Sequence, residues 1–410
     1  MELDKRLYLI VPYKEKDIAK ERGARWDADA KFWYIEANLD PLEFQKWWGI
    51  LEDTYEDKEH IKSMGGVFSG KLRAWYVPSN LKFDKFKEWW PAVLKEYIFE
   101  DCYILEKCIF RGGQSDVFQA RSIKGRNKYA VKLFLSGDTQ ELAKDLELGF
   151  QKETRALFEM DNSKYVMKVQ TAGTHPLSKR KFVIMPWMPI TLKAIIGKSS
   201  EEIIRLLNSQ VASTSDHSAK HDREIKPQIL QTSNRKQDRW VELFSNYLLP
   251  LLDGIIHCHK NGFYHRDIKP DNIFLRPKKL KDKFIFEVVL GDFGIGKNFA
   301  NPIVRNRTLV GNYSKGWRPE KDKMEKEETW DLYSWAVVSM SLVTGILPQS
   351  PEDFDKIQEK QLLAPLLGEQ IFDLLSQAKS SKAKERPKDI REFRKDIRKY
   401  TAVRAEAIGV

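Results

Sequence analysis

His265-Arg266-Asp267-Ile268-Lys269-Pro270-Asp271-Asn272 gathers two carboxylates, two cations and an amide into eight residues. Pro270 cannot continue a helix, so the stretch reads as a loop that presents polar groups. Working outward, Asp292-Phe293-Gly294 lies 25 residues beyond Asp267, after the apolar run Phe284–Leu290. That gap is long, and the basic stretch Lys278–Lys283 is expected to account for the excess as a hairpin loop. Far upstream, Ala130-Val131-Lys132 places a single lysine within an apolar strand. An unpaired buried ammonium is costly, so Lys132 needs an anionic partner. Glu153, in Phe150-Gln-Lys-Glu-Thr-Arg-Ala-Leu157, is the first choice and Glu147 the second. Before that strand, Ile109-Phe-Arg-Gly-Gly-Gln-Ser-Asp-Val-Phe118 sets two glycines between two further strands. Alone, such a pair marks only a hairpin turn.

Together these stretches resemble a eukaryotic-like Ser/Thr protein kinase over about residues 101–400. The resemblance implies an α+β, bilobal protein kinase fold. Its small β-rich N-lobe would span about 101–186 and its larger helical C-lobe about 190–400, with a surface insertion at about 197–240. It also implies ATP and magnesium as cofactors, with manganese as an alternative ion. Phosphoryl transfer depends mainly on positioning and charge neutralisation. On that pattern Asp267 orients the attacking hydroxyl and accepts its proton, and Lys269 offsets charge on the γ-phosphate. Lys132 contacts the α/β-phosphates with Glu153 as its partner, while Asn272 and Asp292 hold the metal. The nucleotide would be contacted by Phe110, Arg111, Gly112, Gly113, Ser115, Val117 and Ala130, and by Met185, Trp187 and Met188 near the adenine. Pro186 has no amide to offer there.

Three positions resemble the family's scaffold. Pro319-Glu320 ends an A-P-E-like motif, Arg386 is placed to pair with Glu320, and Asp331 is placed to brace the catalytic loop. The departures are Phe110 and Ser115 at glycine positions, and Asn312 where Thr often follows Gly311. The charged catalytic residues are all present, which favours an active Ser/Thr kinase over an ATP-binding scaffold. Small-molecule kinases share H-x-D…D, but Ile268–Asn272 and the Pro-Glu…Arg set favour a protein substrate. Arg266 before Asp267 suggests a phosphorylated loop between Gly294 and Arg318. Thr308 is the expected autophosphorylation site, near Arg305, Arg307 and Lys315, with Tyr313 and Ser314 as alternatives.

Residues 1–95 carry an internal repeat. Gly23, Trp33, Tyr34, Asn38, Leu39, Phe44, Trp47 and Trp48 recur at a constant offset as Gly65, Trp75, Tyr76, Asn80, Leu81, Phe86, Trp89 and Trp90. The copies span 1–50 and 51–95. Each reads as a small α+β unit: a short helix ending near the glycine, a W-Y strand, and a helix ending in W-W. The first adds a leading strand, Leu7–Val11. Val11-Pro12-Tyr13 through Trp33-Tyr34 resembles a small tryptophan-rich domain of bacterial, plasmid primase-like proteins. That implies a recognition, targeting or regulatory module with a partner of its own. The alternative is that the aromatics form the core of a very small domain.

Composition narrows the field. With 42% hydrophobic and 31% charged residues, the 410-residue chain reads as globular, with room for two units. The net charge is +11, yet residues 1–100 hold 17 Lys+Arg against 19 Asp+Glu, which disfavours nucleic acid as the ligand of the repeats. Three cysteines without a C-x-x-C pair argue against a disulfide framework or zinc ribbon. His217 and His221 have metal-compatible spacing but no further ligands nearby. No segment reads as a signal peptide or membrane span, so a cytoplasmic location is expected.

Overall fold

The computed structural model describes residues 6–408 except 126, 138, 200–201, 204, 207–238, 281–282, 294–315, 320–327, 351–352 and 354–362. The chain forms two compact units. One comprises the residues up to Leu135 with Gly173–Ile184, and the other Ser136–Ala172 with Met185–Val410.

The first unit opens with the repeats. Copy one runs β1 (Leu7–Leu9), α1 (Lys16–Glu21), β2 (Arg25–Asp27), β3 (Phe32–Ile35) and a 3-10 helix, Pro41–Trp47. Copy two runs α2 (Lys58–Ser63), β4 (Val67–Ser69), β5 (Ala74–Tyr76) and a 3-10 helix, Phe83–Trp89. The indole bonds of the two copies correspond. Trp47 Nε1 donates to Glu15 Oε2 at 2.7 Å, and Trp89 Nε1 to Asp57 Oδ2 at 2.9 Å. Trp48 Nε1 donates to the Pro41 carbonyl, and Trp90 Nε1 to that of Phe83. Gly23 and Gly65 both have left-handed φ, +99° and +94°, which favours glycine there. The leading strand of copy one has a counterpart as well. Tyr8 pairs Tyr34 in β3, and Ile50 bridges Tyr76 in the same register. Trp47, Trp48, Trp89 and Trp90 are all buried, whereas Trp26 and Phe68 are half exposed.

The chain then enters α3 (Ala92–Lys95) and β6 (Ile98–Phe99). From sequence, Pro91–Glu100 reads as one helix leading out of the repeats, and the structure corrects this. Pro91 starts a helix that soon stops, and Glu100 and Asp101, at φ +47° and +51°, turn the chain back into β7 (Tyr103–Arg111). β8 (Ser115–Ser122), β9 (Lys128–Phe134), β10 (Thr171–Thr174) and β11 (Lys181–Pro186) complete a sheet in the order β10-β11-β9-β8-β7-β6. From sequence, Val166–Gln170 reads as a strand; the structure places the strand at β10 instead, and Val166 makes only one parallel bridge, to Leu290.

In β8 and β9, Val117 pairs Lys132, Gln119 pairs Ala130 and Ser115 pairs Phe134. The two-residue strand period puts Ser115, Val117, Ala130 and Lys132 on one face. The intervening Phe118, Val131 and Leu133 take the other face. They join a continuous apolar core with Trp48, Trp90, Leu94 and Phe99.

The second unit contains α4 (Gln140–Glu159), capped by the Thr139 hydroxyl. α5 (Arg239–Leu243) continues through a π turn, Phe244–Leu248, into α6 (Leu249–Lys260). Pro250 lacks the amide that the carbonyl four residues earlier would accept, which accounts for the wider turn. The hairpin β12 (Ile273–Leu280) and β13 (Lys283–Leu290) follows, then α7 (Glu328–Thr344), α8 (Glu369–Ala378) and α9 (Ile390–Ile408). The basic stretch 278–283 is thus mostly strand, the two arms pairing from Ile273↔Leu290 to Leu280↔Lys283. Among the described residues no helix is long and apolar enough to cross a membrane.

Candidate active site

In the second unit Lys269 and Asn272 converge on Asp267. Lys269 Nζ donates to Asp267 Oδ2 at 3.0 Å. Asn272 Nδ2 donates to the Asp267 carbonyl at 2.8 Å and to its Oδ2 at 3.1 Å. Asp267 and Lys269 keep 15% and 19% side-chain exposure, so the pair is sheltered yet reachable from solvent. Asn272 is buried and is held by both its amide bonds, with Oδ1 as its remaining polar atom.

The β12–β13 hairpin explains how residues distant in sequence meet. Asn272 precedes Ile273, and Ile273 pairs Leu290, so the chain returns beside its starting point. The Gly291 amide donates to the Asn272 carbonyl at 3.0 Å, and Asp292 is the next residue. A Cβ at Gly291 would come within 2.8 Å of the Phe274 ring, so a side chain there would have to displace that ring. Asp292 is exposed and sits at φ +52°, a conformation that costs energy for a non-glycine residue. Arg266, at φ +60°, is the other such residue in the loop.

This strained loop is held from beneath. Asp331 in α7 is fully buried. Its carboxylate accepts from the His265 amide at 2.9 Å and the Arg266 amide at 2.7 Å. His259 Nε2 lies 2.8 Å from the same carboxylate. Next to it, His265 Nε2 lies 3.2 Å from the Gly291 carbonyl, and the His265 ring packs on Phe293. Arg386 is buried as well, donating to the carbonyls of Ser380 and Ser381 and to the Thr329 hydroxyl. Its expected partner Glu320 lies outside the described residues. So do Gly294, the segment with Thr308, Tyr313 and Ser314, and the insertion with His217 and His221. Glu153 is buried in α4. β11 ends at Pro186, with Trp187 and the buried Met188 directly after it.

In the first unit the glycine-rich stretch is a tight hairpin. Phe110 pairs Val117, Arg111 pairs Asp116, and the Gly112 amide donates to the Ser115 carbonyl at 2.9 Å. A Cβ on Gly112 would meet the Phe110 ring at 2.7 Å, so the residue replacing the first glycine folds over the second. Lys132 is buried, its ammonium 5.4 Å from the centre of the Phe134 ring. Val117, Ala130 and Lys132 therefore line one sheet face beside the hairpin, with Gly113 in its turn.

Two groups here escaped the sequence reading. Arg180 binds the Asp116 carboxylate at 3.0 Å and the carbonyls of Leu133 and Phe134, tying the hairpin base to β9. His259 belongs to no motif in the sequence. Only the fold reveals its position against Asp331.

Among the described residues no three of His, Cys, Asp and Glu gather around a common point. Asn272 and Asp292 offer oxygen donors, the kind a magnesium ion accepts when phosphates complete its shell. That donor set fits a nucleotide-bound metal.

Comparison with known proteins divides the chain between the repeats and the residues after them. Residues 103–403 match the protein kinase domain family, and residues 6–49 and 50–91 each match a domain of unknown function, DUF5710. A probable serine/threonine-protein kinase of Clostridium perfringens is 24% identical over 247 residues, covering 60% of this chain and 29% of that protein. DNA primase TraC of Escherichia coli is 55% identical over 42 residues, 10% of this chain and 4% of the primase. The kinase domain of PknI from Mycobacterium tuberculosis overlays 74% of this chain and 98% of its own at 15% identity, with a TM-score of 0.46. The chain thus spans less than a third of these two curated relatives.

Proposed function

Because the chain belongs to the protein kinase domain family, matched over residues 103–403, we propose that it transfers the γ-phosphate of ATP to Ser or Thr hydroxyls of proteins, itself included. The observation that carries this reading is the Asp267 carboxylate, fixed by Lys269 and Asn272 on a loop braced by Asp331. A carboxylate so placed can take the hydroxyl proton as the substrate oxygen bonds to phosphorus and the bond to ADP breaks. Lys269 supplies positive charge where the transferring group gains negative charge. Lys132 is assigned to the α/β-phosphates and Glu153 to supporting it. Asn272 and Asp292 would hold magnesium, or manganese, which neutralises phosphate charge when bound. Phe110, Arg111, Gly112, Gly113, Ser115, Val117, Ala130, Met185, Trp187 and Met188 are assigned to the nucleotide. The repeats would serve as a targeting or regulatory module.

The test is transfer of labelled phosphate from ATP to the chain itself and to a generic basic protein. Wild type is expected to label both, and Asp267→Asn to lose about a hundredfold to ten-thousandfold in rate. Phosphopeptide mapping should place the self-label between residues 294 and 318, with Thr308 the expected site. Equal and negligible transfer by both proteins, with magnesium and with manganese, would instead identify a nucleotide-binding scaffold.

A further inference from the structure

Gln45 and Lys87 occupy the same place in the two repeats, 42 residues apart. They do the same thing. Gln45 Nε2 donates to the Leu105 carbonyl at 2.8 Å, and Lys87 Nζ to the Asp101 carbonyl at 2.7 Å. Both acceptors lie on β7 or the turn that opens it, and β7 is the strand that leads into the glycine-rich hairpin. Asp84 of copy two forms a two-pronged ion pair with Arg121 at the far end of β8, the other arm of that hairpin. Glu106 of β7 takes the Arg121 Nε at 3.4 Å. Each repeat therefore holds the hairpin strands by polar contacts, in addition to the shared core behind them.

Copy one reaches farthest. Asp40 Oδ2 lies 3.6 Å from Arg111 Nη2, and Arg111 is the last residue of β7 before Gly112. Asp40 is itself well fixed. Its Oδ1 caps the Pro41–Trp47 helix through the Leu42 amide at 3.0 Å, and the Tyr97 hydroxyl lies 3.5 Å away. A rigid carboxylate thus meets the hairpin at the point where its backbone must stay in place to meet phosphate.

We propose that the tandem repeat positions the glycine-rich hairpin, and that Asp40 is a positioning residue for nucleotide acting through Arg111. This rests on the kinase reading above. The sheet geometry supports it, because the core shared with the repeats takes the face of β8 and β9 opposite Val117, Ala130 and Lys132. The repeats hold the hairpin without occupying the face assigned to ATP.

Asp40→Asn tests the idea, since asparagine caps a helix as aspartate does but carries no charge. The full chain is used, with ADP binding by calorimetry and steady-state kinetics for ATP. An exposed ion pair contributes up to about 1 kcal/mol, so ADP affinity should fall by about two- to fivefold. KM for ATP should rise by the same factor at unchanged kcat, with the thermal midpoint falling by no more than about 4 °C. Arg111→Gln, which also removes the nucleotide contact assigned to Arg111, should lower ADP affinity at least as far, and the double variant should be no worse than Arg111→Gln alone. Salt at about 0.5 M should close the gap between wild type and Asp40→Asn. Wild-type ADP affinity in Asp40→Asn overturns the proposal, and so do single effects that add in the double variant, which would mean Arg111 acts alone. Failure of the kinase reading shows differently: a chain that binds ADP, weakens with Asp40→Asn, and transfers no phosphate from ATP.

Discussion

Asp331 holds the loop that carries Asp267 through the backbone amides of His265 and Arg266. Arg266 adopts a left-handed backbone that a non-glycine residue leaves readily, and its amide is one of two that Asp331 accepts. A carboxylate is suited to this because it accepts on both oxygens and donates nothing. Asp331→Asn would turn an amide N–H toward donors already present. Hydrogen bonds to a charged group are worth about 1.5–3 kcal/mol each, so a stability loss on the order of 3 kcal/mol is expected. The loop would also relax, and small displacements of catalytic groups are expensive, so kcat should fall by about tenfold to a hundredfold. Denaturant unfolding and single-turnover phosphorylation would measure the two effects separately. Full kcat in a variant of unchanged stability would remove the brace from the mechanism. His259→Ala should give a milder version, since the two backbone donors to Asp331 would remain.

At the scale of elements, the repeats show how a very small domain is held together. Each W-W helix is anchored by an indole N–H on a carboxylate that opens the preceding helix, Trp47 on Glu15 and Trp89 on Asp57. The Trp47 indole, with the Lys46 ammonium, holds the Glu15 carboxyl below the usual range. A carboxyl depressed on folding stabilises the fold above its unfolded pKa. That contribution fades as pH falls through the folded value. Glu15→Gln keeps an acceptor for the indole and removes the titration. Wild type is therefore expected to lose thermal stability more steeply than Glu15→Gln between about pH 5 and pH 3. Melting curves of the two proteins that run parallel through that range would sink the idea. The duplication itself was legible in sequence, because eight identities at one offset leave few readings. What the pairs of equivalent residues do was not. Gln45 and Lys87 share a position but not a chemistry, and their common acceptor strand appears only in three dimensions. The same holds at the site. His265–Asn272 announced its loop through composition and spacing, and the long gap before Asp292 announced a hairpin, although the stretch expected as its loop, Lys278–Lys283, is mostly strand. The break after Lys95 was hidden because Ile98-Phe99 becomes a strand only by pairing with β7, a tertiary choice that local preference does not encode.

For the whole molecule, the consequential feature is that the repeats and the β-sheet of the first unit have one core between them. Trp48 packs edge-on against Trp90, Trp90 stacks on Phe83, and Trp48 also meets Tyr97, which leads into β6. From there the apolar contacts continue through Phe99 and Leu105 to Phe118, Ala120, Val131 and Leu133. The sequence pattern suggests modules that end near residue 95 and begin near 101, and a shared core makes that boundary costly to cut. Removing residues 1–95 would expose the face of β8 and β9 that carries Phe118, Val131 and Leu133. Burial of each such side chain is worth roughly 1.5–3 kcal/mol, and a whole domain is typically stable by only about 5–15 kcal/mol. Three of them alone approach that margin, before the polar contacts of Gln45, Asp84 and Lys87 are lost. A chain of residues 96–410 is therefore expected to aggregate, or to lose amide-exchange protection in β7–β9 while α6 and α7 of the second unit keep theirs. A truncated chain that is soluble, monomeric, protected in β7–β9 and equal to wild type in ADP affinity would show that the sheet stands without the repeats. The expected result would make the repeats part of the kinase's folded N-terminal unit, so that anything binding them acts on the strands leading to Gly112.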